Sequence, residues 1–331
     1  MLIAAASSPI APLIFFSLRF GRLSGVPLFI SMLIQLLPMI LVAFIGFGLR
    51  QAGVLRSSDA KTIGKLLTNL ALPAVILRAL AMASITPDLI YLPLSALIVV
   101  LGLTAIAFLG VRWLKWEKPR AGALMTTFPT FEGGAVGYPI MLLTFGDVGL
   151  SRIVLFDLAQ AIYLLTVVYC LSAWFGQAGV TGRAVAQKLA QTPFFWAIVL
   201  GLMVNALGWT NDLLLGLLNI AGDSFLLLVL LLLGMEFQVQ LPSVGRYILL
   251  ALAKITCGLI LGWAATQAFG LQGVEQAAVL AGAALPPSML TLLFAQENHL
   301  DTRFVISFIS AAVPLYLAVV TPLLAHLSLS P

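Results

Sequence analysis

Long apolar runs, separated by short polar segments, dominate the pattern of residues along the chain. Most of the runs come close to the roughly 20 residues that an α-helix needs to cross a bilayer. We therefore expect an all-α polytopic membrane protein with ten transmembrane helices. The predicted spans are, approximately, residues 27–49, 60–83, 88–111, 120–145, 151–175, 193–209, 213–236, 244–269, 273–296 and 303–327.

The fourth run contains a stretch that does not suit a continuous spanning helix. Residues 128–139 bring three glycines, two prolines and Glu132 to its middle. Hydrocarbon offers no partners to a loosened backbone, while proline lacks an amide donor and glycine weakens a helix. We predict that the helix breaks here, as helices do at the binding sites of secondary transporters.

A second break is predicted from the organisation of the chain. The weakly apolar connection at 176–192 divides the spans into two sets of five, residues 27–175 and 193–327. An odd number of spans gives the two sets opposite orientations, which is the inverted-repeat arrangement. The fourth span of the second set should then also be interrupted, and Pro286 and Pro287 lie near its centre. We expect the broken fourth and ninth helices to cross.

Composition and charge agree with a membrane protein. Hydrophobic residues make up 61% of the chain and charged residues 9%, with a mean hydropathy of +1.11, whereas soluble domains carry roughly 25% charged residues. Most basic residues behind the net charge of +5 lie between spans. These residues therefore indicate how the spans are oriented in the cytoplasmic membrane, with both chain ends on the outer side. They do not indicate a nucleic-acid partner.

Residues 1–26 form an N-terminal extension whose nature stays open. Residues 1–18 are apolar but have no basic residue ahead of them, so they fit a signal peptide poorly. An interfacial helix, an extra span and a mis-assigned start are the alternatives. The interfacial helix is favoured because of Arg19 and Arg22, which follow the apolar residues. They are exceptions to the positive-inside pattern, which would be unusual for an additional span but is acceptable for a surface helix.

Short motifs at matching positions resemble those of the auxin efflux carrier family of membrane transporters. They lie at residues 69–73, 134–139, 284–286 and 310–322. In the second of these, Gly134, Gly137 and Pro139 are in register with the family's broken fourth span, although Glu132 stands where the family has asparagine.

The resemblance implies a fold like that of the bile acid–sodium symporters. Spans one, two, six and seven would form a scaffold panel, and the other spans would form a moving core in which the broken helices cross. The resemblance also implies small organic anions as substrates and a homodimer formed through the scaffold.

The amino ends of two half-helices predict an anion site at mid-bilayer. Proline is preferred at the first helical position, so the half-helices should begin near Pro139 and Pro287 and direct free amides at a ligand. The predicted substrate-binding residues are Thr130, Glu132, Gly133, Gly134, Gly137, Tyr138, Pro139, Pro286, Pro287, Ser288 and Asn69. For the hydroxyl groups of Thr130, Tyr138 and Ser288, the alternative is a hydrogen bond to the backbone of their own helix. For Asn69 the alternative is an interhelical hydrogen bond.

Ionisable residues inside spans are candidates for ion coupling, because insertion of each costs at least ~2.5–3.5 kcal/mol. The predicted coupling residues are Glu132, Asp157 and Lys254. We place Glu132 at the carboxyl end of a half-helix, where the dipole disfavours a negative charge, and predict that it binds a proton. Cation binding and a structural role are its alternatives. Lys254 is expected to pair with Glu132 or with Asp157, or to supply the positive charge for the anion, and its alternative is to snorkel to the interface. We expect Arg78 to snorkel and Asp223 to lie at a helix end or in the scaffold.

Together these features predict a secondary active transporter that moves a small organic anion by alternating access, with protons as the coupling ion. A sodium-coupled symporter of the bile-acid type and a non-transporting membrane sensor are the alternatives. The chain has no phosphate-binding loop and no H-E-x-x-H or G-x-S-x-G motif, so we do not expect an enzyme. We expect no cofactor and no metal site.

Overall fold

The computed structural model describes residues 41–176, 190–236 and 244–329, together with Arg183 and Gln187. Regular structure within these ranges is entirely helical. The N-terminal extension, most of the first predicted span and part of the 176–192 connection lie outside the described residues.

The α-helices of the described ranges follow the apolar runs closely. In chain order they are α1 (Leu41–Gln51), α2 (Ser57–Leu66), α3 (Leu72–Ala81), α4 (Tyr91–Leu114), α5 (Lys118–Thr127), α6 (Tyr138–Tyr163), α7 (Tyr169–Phe175), α8 (Pro193–Leu207), α9 (Asp212–Glu236), α10 (Val244–Phe269), α11 (Gly273–Ala284), α12 (Leu290–Glu297) and α13 (Thr302–Leu329). Single π-helical turns at Leu67–Ala71, Gly133–Gly137 and Leu164–Val168 join neighbouring helices, and a 3-10 turn at Pro87–Ile90 precedes α4.

Several of these helices have the length and apolar character of membrane spans. Among the described residues, six stretches meet both requirements: Ser58–Ala81, Pro87–Leu114, Gly133–Phe175, Asp212–Met235, Gly245–Phe269 and Thr302–Leu324. The protein is therefore a multi-pass membrane protein. The count of ten crossings stays a prediction, because most of the first predicted span is not described.

The longest of the six stretches folds back on itself at Gly146. This residue has a φ of 64° and a ψ of −156°, a conformation open almost only to glycine. Tyr138 and Asp157 are nevertheless joined by a hydrogen bond, although a straight helix would separate them by about 28 Å. The two arms of α6 on either side of Gly146 therefore run antiparallel, as expected for separate fourth and fifth spans.

Both predicted helix breaks are present. Residues 128–132 separate α5 from the π turn at Gly133–Gly137, and residues 285–289 separate α11 from α12. The first interruption lies at the cluster of glycine and proline and the second at Pro286 and Pro287, so the prediction of two broken helices is confirmed.

The α-helices after the breaks begin close to the predicted prolines, at Tyr138 and Leu290, but their first turns differ from the prediction. The helical turn after the first break begins at Gly133 and not near Pro139, which lies in the first turn of α6. After the second break, α12 begins at Leu290, and Pro287 belongs to the extended stretch before it. In the first break the side chain of Glu132 caps the helix, so that the helix begins without a proline.

Close contact between α10 and α11 holds the second broken helix in place. Gly258 and Gly262 lie one turn apart on α10, and both face Ala283 near the end of α11. A Cβ atom on Gly258 would meet the carbonyl oxygen of Ala283. Small residues at this spacing let two helix backbones approach closely in a membrane.

Ionic contacts join helices at the end of the bundle that contains Gly146, which we call the Gly146 end. Arg78 of α3 contacts Asp223 of α9 at 2.8 Å and Asp147 at 3.2 Å. The Arg78 side chain is 12% exposed, and its partner Asp147 is 51% exposed. The snorkelling of Arg78 stays a prediction. Asp223 lies inside α9 and not at its end.

At the same end, Arg152 contacts Glu275 of α11 at 2.8 Å and donates a hydrogen bond to the carbonyl oxygen of Ser84. At the opposite end, which we call the Arg120 end, the amide of Asp301 donates a hydrogen bond to the carbonyl oxygen of Pro119.

The packing of α10 on α11 predicts that Gly258→Ala destabilises the protein. The added methyl group has to displace the backbone of α11, and overpacking of this kind costs about 1–3 kcal/mol. The melting temperature of the purified protein in detergent should fall by several degrees. Gly245→Ala, near the start of α10, is the control, because no described atom lies within 4 Å of its Cβ position. Equal melting temperatures for the two variants would contradict this packing.

Candidate functional site

The two helix breaks contact each other directly through their backbones. The amide of Glu132 donates a hydrogen bond of 2.9 Å to the carbonyl oxygen of Pro286. The amide of Ser288 donates one of 3.2 Å to the hydroxyl oxygen of Thr130, which in turn donates to the carbonyl of Thr127. Each break thus supplies hydrogen-bond partners to backbone groups of the other break that have no partner within their own helix.

The carboxylate of Glu132 caps both half-helices at once. One oxygen accepts a hydrogen bond of 3.2 Å from the amide of Ala135, in the π turn that opens the next helix. The other accepts a bond of 2.7 Å from the amide of Met289, immediately before α12. One side chain therefore lies at two helix amino ends, where a negative charge is most strongly stabilised.

The position of Glu132 in its helix corrects the sequence-based prediction. We expected it at the carboxyl end of a half-helix, but α5 ends at Thr127 and Glu132 is the N-cap of the following turn. The helix dipole therefore favours its negative charge and does not oppose it. Hydrogen bonds to a charged group are worth roughly 1.5–3 kcal/mol each. The two bonds of Glu132 thus make it a structural link as well as a candidate site residue.

A buried carboxylate lies beside the first break. Tyr138 donates a hydrogen bond of 2.6 Å to one oxygen of Asp157. The other oxygen is buried and has no hydrogen-bond partner among the residues that the structure describes. A Cβ atom on Gly133 would collide with the Asp157 carboxylate. Glycine is therefore required at this position so that the backbone of the break can approach the acid.

The other predicted residues of the breaks serve mainly in packing. A Cβ atom on Gly137 would come within 2.9 Å of the Leu285 side chain, so this glycine lets the second break pack against the first. Pro139, Pro286 and Pro287 are buried, and Gly134 is half-buried.

The hydroxyl of Ser288 accepts a hydrogen bond from the amide of Leu290. Thr130 and Ser288 thus follow the alternative that we gave for them, bonds to the backbone, whereas the hydroxyl of Tyr138 is bonded to Asp157. Roles for all of these residues in ligand binding stay predictions.

Gln160 was not predicted, although it contributes to the first break. Its buried side-chain amide donates a hydrogen bond of 3.3 Å to the carbonyl oxygen of Phe131, a group that has no helical partner. Gln160 lies three residues after Asp157, on the same face of α6. A polar pair at this spacing inside an apolar span was the signal that would have identified it.

Lys254 does not form either of the ion pairs that we suggested. Its side chain is completely buried, and its amino group has no hydrogen-bond partner in the described part of the chain. The amino group lies 4.8 Å from the centre of the Phe131 ring, which is a cation–π distance. Burial also contradicts the snorkelling alternative. Lys254 thus supports the first break from the side of α10.

Asn69 is not brought to the crossing by any contact in the structure. It is exposed, within the π turn between α2 and α3, and its amide donates to the carbonyl oxygen of Lys65 and the hydroxyl of Thr68. No interhelical bond of Asn69 is present among the described residues. Leu72, one turn later, does lie near Gly134.

Within the ranges described above, no group of three or more His, Cys, Asp or Glu side chains is placed so that it could hold a metal ion.

Comparison with protein families identifies the kind of protein to which this crossing belongs. A family model described as "Membrane transport protein", the auxin efflux carrier family, matches residues 31–181 and 179–322. The chain belongs to this family of transporters. The resemblance inferred from the short motifs is thus confirmed along most of the sequence.

Two archaeal relatives support the assignment. The transporter is 24% identical over 277 residues to an uncharacterized transporter of Methanothermobacter thermautotrophicus, covering 82% of this chain and 91% of the relative. It is 21% identical over 290 residues to an uncharacterized transporter of Methanocaldococcus jannaschii, covering 85% of this chain and 93% of the relative.

The geometry of the transporter predicts opposite results for two buried tyrosines. Tyr138→Phe removes the donor to Asp157 and leaves a buried carboxylate without partners, which should destabilise the protein by about 1–3 kcal/mol. Tyr316→Phe is the matched control, because the Tyr316 hydroxyl is buried with no hydrogen-bond partner in the described ranges. Its removal should leave the melting temperature unchanged or raise it. A loss of stability confined to Tyr316→Phe would contradict these contacts.

Proposed function

We propose that the protein is a secondary transporter of a small organic anion, coupled to protons through Glu132. The observation that carries the proposal is the double cap formed by the Glu132 carboxylate on the amides of Ala135 and Met289. Two helix amino ends that meet inside a membrane are a ready-made site for an anion.

The substrate and Glu132 compete for the same donors. A substrate carboxylate at the crossing would need the amides that the ionised Glu132 side chain occupies. A proton on Glu132 removes its charge and weakens its hold on these amides, because hydrogen bonds to a charged group are about twice as strong as neutral ones. The amides then become available to the substrate. Proton and anion therefore bind together, which is the requirement for symport.

Alternating access follows from the proposed arrangement of the helices. We assign the ten predicted spans to two inverted sets of five, with the broken helices in the moving core. Contacts within the proposed scaffold support this division. Asn205 of α8 donates hydrogen bonds to the carbonyl oxygens of Leu80, Ala81 and Ala83, and Arg78 of α3 pairs with Asp223 of α9.

The proposed orientation follows the distribution of basic residues. The Arg120 end of the bundle carries Arg112, Lys115, Lys118 and Arg120 within nine residues. The positive-inside rule assigns this end to the cytoplasm of a cell whose cytoplasmic membrane holds the protein. Both ends of the chain are then outside.

Sodium coupling is the second candidate, and Asp157 is the observation in its favour. One oxygen of Asp157 is buried without a hydrogen-bond partner in the part of the chain that is described. It lies beside a break whose carbonyl groups are not all used in helices. Oxygen ligands of this kind suit a hard cation. Uptake into proteoliposomes with only one gradient imposed separates the two candidates. A proton gradient alone should drive accumulation, and a sodium gradient alone should not.

Glu132→Gln tests the proposed role of the double cap. In the native protein, anion binding should weaken as the pH rises, because ionised Glu132 reoccupies the amides. In the variant the side chain cannot ionise, so binding should persist at alkaline pH and transport should lose its coupling to the proton gradient. Thermal shifts with mono- and dicarboxylates at an acidic and an alkaline pH provide the measurement, since a ligand that binds the native state stabilises it.

Asp212→Asn is the control for this experiment, because it removes an exposed carboxylate far along the chain from either break. It should leave the pH dependence of binding unchanged. If the pH dependence survives in Glu132→Gln, another group carries the proton and the proposed coupling is wrong.

A further inference from the structure

A cavity at the Arg120 end of the bundle lies apart from the crossing. Its volume is about 620 Å³, and it is lined by Lys115, Trp116, Glu117, Pro119, Arg120 and Asp301. These residues come from the connection between α4 and α5, the start of α5 and the residue before α13. The cavity plays no part in the proposed transport mechanism.

Aromatic rings hold the guanidinium group of Arg120 in place. Its central carbon lies 4.6 Å from the centre of the Trp116 ring and 5.8 Å from that of Phe304. The Nε atom of Arg120 is buried, and no described residue forms a hydrogen bond with it. A guanidinium positioned in this way, with an unused donor, suits the planar recognition of a phosphate group.

The charges that line the cavity are balanced but do not neutralise one another in pairs. Lys115 and Arg120 are cationic, and Glu117 and Asp301 are anionic. No ion pair joins any of these four side chains to a partner within the described ranges. A ligand that carries one positive and one negative charge would satisfy both kinds of residue at once.

We propose that this cavity binds the phosphoethanolamine headgroup of a membrane phospholipid. The phosphate would accept hydrogen bonds from Arg120 and Lys115. The primary ammonium group would donate to the carboxylates of Glu117 and Asp301. Balanced charge favours this zwitterionic headgroup over a purely anionic one, and the carboxylates favour an ammonium that carries N–H donors over a methylated one.

The surroundings of the cavity favour a lipid over a soluble molecule. Trp113 in the last turn of α4 is 84% exposed, and Leu109 and Leu114 beside it are more than half exposed. Tryptophan is enriched where helices leave the hydrocarbon region, and an exposed apolar surface beside a headgroup site can receive acyl chains.

The test compares phosphatidylethanolamine with phosphatidylcholine of identical acyl chains. The two lipids share the phosphate and differ only in methylation of the amine, so their difference isolates the carboxylates. The purified transporter is exchanged into nanodiscs or mixed micelles containing one lipid, and native mass spectrometry measures the lipid retained. We expect roughly fivefold tighter binding of phosphatidylethanolamine, the size set by one or two partly exposed ion pairs.

Three variants assign the contacts. Glu117→Gln with Asp301→Asn should abolish the preference for phosphatidylethanolamine without weakening the binding of phosphatidylcholine. Asparagine at 301 keeps the cap that Asp301 provides to the amide of Phe304. Arg120→Gln should weaken the binding of both lipids. Asp88→Asn, an exposed acid before α4, should change neither, and an unchanged melting temperature establishes that each variant is folded.

Three results would overturn the proposal. Equal binding of the two lipids by the native protein would exclude a role for the carboxylates. Tighter binding of phosphatidylglycerol than of phosphatidylethanolamine would indicate an anion site. Displacement of the lipid by soluble phosphoethanolamine at equal concentration would identify a soluble ligand. Because the readout is lipid retention, none of these results depends on whether the transport mechanism is correct.

Discussion

The need to satisfy every backbone group inside a membrane is the constraint on which this structure depends. A broken helix exposes amides and carbonyls that water would normally satisfy, and hydrocarbon offers no replacement. Here each break is paired with the other, through the bonds from Glu132 to Pro286 and from Ser288 to Thr130. Gln160 supplies a further donor from α6. Because each break supplies hydrogen-bond partners to the other, the two interruptions in the sequence are parts of one unit.

Under the proposed mechanism, Glu132 has both a structural and a functional role in that unit. Its carboxylate stabilises two helix amino ends, which are also the groups that would attract an anionic substrate. If Glu132 holds the crossing together when ionised and releases its donors when protonated, as proposed, the stability of the site depends on its occupancy. A carboxylate at the centre of the proposed anion site would then not repel the substrate permanently.

The helices and their interruptions could be predicted because they depend on local properties of the chain. Apolar length determines where spans lie, and the clustering of glycine with proline determines where a helix fails. The helical turn at Gly133–Gly137 was not predicted, because it depends on the cap provided by the side chain of Glu132 and not on a proline at the first position. This cap requires an amide from the other half of the chain, at Met289, and no local pattern contains that information.

The surroundings of the ionisable residues were the least predictable part of the site. Sequence reasoning placed Lys254 and Asp157 within spans but could not give the distances between helices. Lys254 lies over the Phe131 ring and not beside a carboxylate. Asp157 is held by Tyr138, which depends on the reversal of α6 at Gly146. Contacts of this kind follow from the relative placement of helices that are far apart in the chain.

A cysteine cross-link between the two breaks is the most direct measurement of the central claim. Thr130→Cys and Ser288→Cys are introduced after Cys170 and Cys257 are replaced by alanine, with a protease site in the 176–192 connection. A disulfide forms only when two Cα atoms approach within about 7 Å. The account predicts that oxidation in the membrane keeps the two halves joined after cleavage until reductant is added. Halves that separate under oxidising conditions, although both cysteines are present and the protein is folded, would contradict the meeting of the two breaks.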